Sequence, residues 1–262
     1  MDEGFAEDKE IGMSRSKIGD NCRNRRPPES VCRLVIGAGL AALLFLFYMA
    51  AARAGSPADN AGVSVLQMQN PPAFQGTIVA VGDSLTAGLG VDEDQAFPAQ
   101  LQKKLLRRGY AYKVVNAGIS GETSSGALAR IRWVTASLKP DIVILETGAN
   151  DGLRGIDPKL LVSNLDQIVS FLKQQDITVV LAGMRMLPNL GPRYVRAFDR
   201  IYAECAKKHD VILIPFFLEG VAGDASLNQA DRIHPTAQGY SRIVETIYPY
   251  IVEAIKRHLQ GG

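Results

Sequence analysis

From residue 74 onward, short apolar runs alternate with longer stretches in which apolar positions return every three or four residues. The runs at Gly76 to Val81, Tyr112 to Asn116, Asp141 to Glu146, Thr178 to Ala182 and Val211 to Pro215 are rich in Val, Ile and Leu and close on turn residues. That pattern predicts buried β-strands. Phe97 to Arg108, Thr123 to Leu138, Pro158 to Gln175, Arg193 to His209 and Thr236 to Leu259 carry a helical period instead. Strands separated by helices run parallel, and right-handed crossovers set the helices on both faces of the sheet. The prediction is an α/β fold of three layers, α/β/α, around a five-stranded parallel sheet over residues 74–260. Pro249 is expected to kink the last helix or end it early. Phe198, Ile201, Tyr202 and Cys205 form one apolar stripe, which makes Cys205 a packing residue and not a reactive thiol.

Ahead of this pattern the chain changes character. Residues 1–33 are polar, mixed in charge and without apolar period, and read as a cytoplasmic leader. Leu34 to Ala52 holds no charge, and its apolar centre must enter a membrane or a translocon. Arg23, Arg25, Arg26 and Arg33 precede it, whereas after Arg53 the next basic residue is Lys103; this asymmetry predicts a cytoplasmic N-terminus and an exported main body, periplasmic or secreted. Residues 34–54 are read as a signal peptide, with small-x-small sites at Ala50 to Ala52 and Ala52 to Ala54. Retention of the segment as an inner-membrane anchor is the alternative. Residues 55–73, with Gly55-Ser56-Pro57 and Pro71-Pro72, form a linker.

Composition narrows the function. At 262 residues and 47% hydrophobic, the chain can bury a sizeable core. Its formal charge of +2 divides evenly: residues 1–54 hold eight basic and seven acidic residues and the remainder 21 and 20, so the main body is close to neutral and offers no footprint for nucleic acid. Cys22 and Cys32 precede the apolar segment, and Cys205 is alone in the main body, which excludes an internal disulfide there. Three scattered histidines and one cysteine make no metal cluster, and no cofactor is expected.

Chemistry enters at the strand ends. After the first strand stands Ser84, in Gly82-Asp83-Ser84-Leu85; after the second, Gly118 to Thr123; after the third, Gly148-Ala149-Asn150-Asp151; and beyond the fifth, Asp231-Arg232-Ile233-His234. Parallel topology brings these loops to one edge of the sheet, where ligands bind in open α/β folds. Asp-Ser after a strand also fits an ordinary helix cap. The grouping adds an acid-supported imidazole, glycines with open backbone N–H groups and a side-chain amide, which are the parts of acyl transfer. A serine hydroxyl needs a base. His209 and His258 sit among lysines and arginines at helix ends, while His234 has Asp231 three residues before it, close enough to fix its tautomer. Asp83 and Asp151 read as loop hydrogen-bond acceptors.

These four blocks, in this order, resemble the SGNH hydrolases, or GDSL lipases and esterases. Asn150 to Gly155 and Leu213 to Phe217 look like the bacterial subgroup of arylesterases and multifunctional thioesterase/lysophospholipases. The resemblance covers residues 74 to about 258 and implies the flavodoxin-like SGNH fold. It implies Ser84 as nucleophile, His234 as base and Asp231 as third member, with an oxyanion hole from the N–H groups of Ser84 and Gly121 and the side chain of Asn150. From the residues alone Gly118 competes with Gly121. The resemblance also makes Gly152-Leu153-Arg154-Gly155 a mobile loop over bound acyl groups.

An α/β-hydrolase reading fails, because no Gly-x-Ser-x-Gly occurs and the serine follows the first strand. A non-catalytic flavodoxin-like binding domain fits poorly, because Val81 to Gly90 lacks a phosphate-cradling glycine pattern and carries Asp83 where an anion would sit. Met184, Met186, Leu187, Pro188, Phe216, Phe217 and Leu218 follow the fourth and fifth strands, and suit acyl chains or aromatic rings better than sugar hydroxyls. The expected substrate is therefore a small acyl or aryl ester, or a thioester, with carbohydrate acetylesterase as the alternative, and the expected state is monomeric. Packing beneath the loop is the other reading of Phe216 and Phe217.

Overall fold

The computed structural model describes residues 73–186 and 188–261. The leader, the apolar segment, nearly all of the linker and Leu187 lie outside the described residues. Five strands, β1 (Gly76–Gly82), β2 (Tyr112–Gly118), β3 (Ile142–Glu146), β4 (Thr178–Ala182) and β5 (Ile212–Ile214), form one sheet in the order β2-β1-β3-β4-β5, with every pairing parallel. Helices α2 (Phe97–Arg107) and α7 (Ala237–Gly261) pack together on one face; α3 (Ser124–Leu138), α5 (Pro158–Gln174) and α6 (Pro192–His209) pack side by side on the other. Two short helices, α1 (Ser84–Ala87) and α4 (Ala149–Leu153), follow the ends of β1 and β3. The five predicted strands and five long helices are all present.

The core explains the apolar runs. Ile78 to Val81 and Ile142 to Leu145 are completely buried because helices cover both sheet faces, and each large aliphatic side chain so buried contributes about 1.5–3 kcal/mol. Phe198, Ile201 and Tyr202 are buried on α6, and Cys205 beside them is half-buried with its thiol pushed up to about 11 by burial. That is the packing role read from the stripe.

Of the two outcomes expected at Pro249 an early end does not occur: α7 runs on to Gly261. A proline there forgoes one N–H bond, but Ile247, Ile251, Ala254 and Ile255 on either side are buried, and their packing holds both halves in one helix. The sheet order also locates the site. The crossover from β1 leads outward to β2 and that from β3 leads outward to β4, so the order reverses between β1 and β3. A crevice opens outside the carboxyl ends of strands at such a point, and α1 and α4 stand there.

Candidate active site

Ser84 is the first residue of α1, directly beyond β1. The side chain of Asp83 caps the helix by accepting the Leu85 N–H at 2.9 Å. Asp83 is therefore the cap, and the Ser84 hydroxyl takes no part in capping. His234 Nε2 lies 2.9 Å from Ser84 Oγ, and His234 Nδ1 lies 2.6 Å from Asp231 Oδ2. With Nδ1 protonated and donating to Asp231, Nε2 is left to accept the serine proton.

The carboxylate is fixed by its own turn. Arg232 takes a left-handed φ of 61°, and the N–H groups of Ile233 and His234 both donate to Asp231 Oδ1, at 2.9 and 3.0 Å. The hydrogen bond from His234, then those two N–H groups, lower the Asp231 pKa to about 2. Gln229 ties this loop to the serine turn, donating to the carbonyls of Leu89 at 2.7 Å and Pro235 at 3.0 Å.

The glycine segment resolves into two roles. The Gly118 N–H is taken by Asn116 Oδ1 at 3.0 Å, and a Cβ on Gly118 would lie 2.2 Å from the Ala87 backbone nitrogen. Gly118 thus lets β2 approach α1. Gly121 has a φ of +78°, and among the described residues no acceptor takes its N–H or that of Ser84. Arg154 donates to the Gly121 carbonyl at 2.7 Å, and Arg130 clamps the Glu122 carboxylate through two bonds of 2.6 and 2.7 Å. Asn150 stands on α4, and its Nδ2 donates to Asp83 Oδ2 and to the Glu122 carbonyl, both at 3.0 Å. Asp151 accepts the Ser124 N–H and hydroxyl at the start of α3. Asp83 and Asp151 are thus the loop acceptors they were read as.

One of the substrate-wall candidates departs from expectation. Phe217 is fully buried and meets Phe97 edge-on at 5.2 Å between ring centroids, so it belongs to the core and not to a substrate wall. Phe216 is half-buried, with the Arg185 guanidinium 4.8 Å above its ring. Met184 is also buried in the core. Gly152 and Leu153 are helical in α4, and Arg154 and Gly155 continue a hydrogen-bonded turn. Gly152 serves close packing: a Cβ there would lie 1.9 Å from Met186 Sδ. Exposed apolar side chains follow three of the strand ends, Leu89, Ile119 and Leu153, with Ile233 beside His234.

Glu146, Glu122 and Arg130 were not singled out from the sequence. Glu146 gave one available signal, a carboxyl at the end of an otherwise apolar strand. It is completely buried, its Oε2 accepting from Thr86 Oγ1 at 2.8 Å and from the Asp83 N–H at 3.2 Å.

The geometry agrees with comparison to known proteins. The model of the GDSL-like Lipase/Acylhydrolase family matches residues 80–242. Esterase TesA of Pseudomonas aeruginosa is 44% identical over 72% of this chain and 94% of its own. The thioesterase 1/protease 1/lysophospholipase L1 of Escherichia coli K12 is 37% identical over 70% of this chain and 83% of its own. The crystal structure of the psychrotrophic esterase EstA from Pseudoalteromonas sp., inhibited by monoethylphosphonate, superposes with a TM-score of 0.66 at 32% identity, covering 69% of this chain and 99% of that one. The sequence blocks, the parallel sheet and these relatives agree, and the chain belongs to the GDSL-like lipase/acylhydrolase family, as a carboxylic ester hydrolase.

Proposed function

We propose that this hydrolase works through a covalent acyl-enzyme on Ser84. The observation that carries the reading is the continuous relay from Ser84 Oγ to His234 Nε2, at 2.9 Å, and from His234 Nδ1 to Asp231 Oδ2, at 2.6 Å. Ser84 Oγ attacks the acyl carbon while its proton passes to His234, and Asp231 stabilises the imidazolium. The carbonyl oxygen becomes an oxyanion facing the N–H groups of Ser84 and Gly121 and the amide of Asn150. As the tetrahedral intermediate collapses, the leaving alcohol or thiol takes the proton from His234. A water then attacks the acyl-serine with His234 as base, releasing the carboxylic acid and restoring the hydroxyl.

For substrates we propose aryl esters and short- to medium-chain acyl esters or thioesters, with lysophospholipids within range and acetylated polysaccharides poor. Support comes from the apolar residues around the strand ends, Leu89, Ile119, Leu153, Met186 and Ile233, which present few groups to sugar hydroxyls. The relative from Escherichia coli, named as a thioesterase and lysophospholipase, points the same way. We also propose export of the hydrolase, on the charge asymmetry flanking residues 34–52. Among the described residues no helix is long and apolar enough to cross a membrane.

A fluorophosphonate probe followed by peptide mapping tests the mechanism. The expected result is a single adduct on Ser84, lost in Ser84→Ala; active enzyme labelled elsewhere, or not at all, overturns it. A panel of p-nitrophenyl esters from short to long acyl chains, with acyl thioesters, a lysophospholipid and acetyl-xylan, tests the range. Highest kcat/KM on acetyl-xylan, with no gain from a longer acyl chain, moves the assignment to a carbohydrate acetylesterase.

A further inference from the structure

We propose that Glu146 is a positioning residue for the oxyanion amide: from beneath the nucleophile turn it fixes Asp83, and through Asp83 it fixes the side chain of Asn150. This rests on the reading of Asn150 as an oxyanion donor. Glu146 touches neither Ser84 Oγ nor His234. Its Oε2 accepts from Thr86 Oγ1 at 2.8 Å and from the Asp83 N–H at 3.2 Å, which holds the turn that presents Ser84 from both sides. Asp83 in turn accepts the Leu85 N–H on Oδ1 and the Asn150 amide on Oδ2. The chain of contacts runs from the end of β3, under the nucleophile, and back to α4. Gly82 makes room for it, since a Cβ there would lie 2.5 Å from Glu146 Oε2 and 2.1 Å from Thr86 Oγ1.

The protonation of this pair follows from its surroundings. Glu146 Oε2 accepts the Asp83 N–H, and the charge of Asp83 bears on the Glu146 carboxyl; two adjoining buried carboxyls resist ionising together. Asp83 already receives N–H groups from Leu85 and Asn150, which favour its charged form, whereas Glu146 is fully buried and, among the described residues, forms no ion pair. Burial, then the charge of Asp83, raise Glu146 well above the ordinary glutamate value, so the proton rests there. The titratable groups that face the pair are Tyr202 on α6, Tyr240 on α7 and His234 on its loop, and the Arg130 guanidinium of α3 donates to the neighbouring Gly82 carbonyl at 3.4 Å. Glu146 thus sits neutral beneath the turn, accepting from Thr86 and the Asp83 N–H, and leaves Asp83 the single charge with which to hold Asn150.

The test compares Glu146→Gln, Glu146→Ala, Asn150→Ala and the double variant Glu146→Ala with Asn150→Ala, by kcat, KM and pH profile. Glutamine is neutral and can still accept from Thr86 and the Asp83 N–H, so it should keep kcat within about threefold, whereas alanine should lower kcat by about 10- to 100-fold at nearly unchanged KM. In the Asn150→Ala background, removing Glu146 should cost less than about twofold more, because both changes disable one donor. Full additivity ends this inference alone; a silent Asn150→Ala ends the oxyanion reading and this inference together. Should Glu146→Ala fail to fold, the pH profile of Glu146→Gln decides. Wild type should lose kcat as alkali removes the Glu146 proton and the glutamine variant should not, and identical profiles overturn the proposal.

Discussion

Asn150 Nδ2 donates to Asp83 Oδ2 at 3.0 Å, joining the ends of β3 and β1 across 67 residues of sequence. The same nitrogen also donates to the Glu122 carbonyl at 3.0 Å, so both N–H groups of the amide are engaged. In the oxyanion role proposed for it, Asn150 has to share or release one of these bonds, which charge developing on the substrate would favour. An interaction made in the transition state and not in the ground state acts on kcat. Asn150→Ala should therefore lower kcat by about 10²- to 10³-fold with little change in KM, as steady-state kinetics on a p-nitrophenyl ester will show.

Ser84→Ala and His234→Ala should each lower kcat by about three orders of magnitude or more, and combining them should cost little beyond either one, because the pair acts as a unit. Full additivity of the two losses would separate them.

Asp231 stays charged from neutral pH well into acid, since its carboxyl is held at about 2. A depressed carboxyl stabilises the fold above its ordinary value of 3.8 and loses that contribution as the pH falls through about 2. The difference in Tm between wild type and Asp231→Ala should be steady above about pH 5 and close toward about pH 2.

Glu146 has the opposite sign. A raised carboxyl keeps its proton in the fold where the unfolded chain has released it, so stability falls as the pH climbs above the ordinary value of 4.5. Glu146→Gln should raise Tm at about pH 8, and the gain should shrink toward about pH 4.5. A lower Tm at the alkaline end would show that the site needs a charge.

The two glycines after β2 should separate in their effects. A Cβ on Gly118 would press on Ala87 backbone atoms, so Gly118→Ala should cost about 1–3 kcal/mol of stability in denaturant melts. At Gly121 the nearest atom to a Cβ would be Arg154 Nη2 at 3.6 Å, but the left-handed φ strains alanine by about 1–2 kcal/mol and turns the N–H away. Gly121→Ala should therefore lose kcat out of proportion to its change in Tm.

Local pattern determined most of the layout. Periodicity placed the strands and long helices, because each run buries one face against a layer whose position parallel topology dictates. Ser84, Asn150 and His234 were legible for a related reason: each stands just past an element end, where side chains escape the core. Asp231 was legible because three residues of a turn bring it to His234. What the sequence could not determine was which polar side chains meet across long separations. Glu146 looks like the last residue of an apolar strand until the sheet order sets it beside Asp83. Phe217 looks like a groove residue until α2 brings Phe97 against it, and Gly118 rivals Gly121 until Asn116 takes its N–H. The packing around Pro249 likewise outweighs its local preference. Contacts of this kind depend on register, depth and approach between distant elements, and only the folded chain decides those.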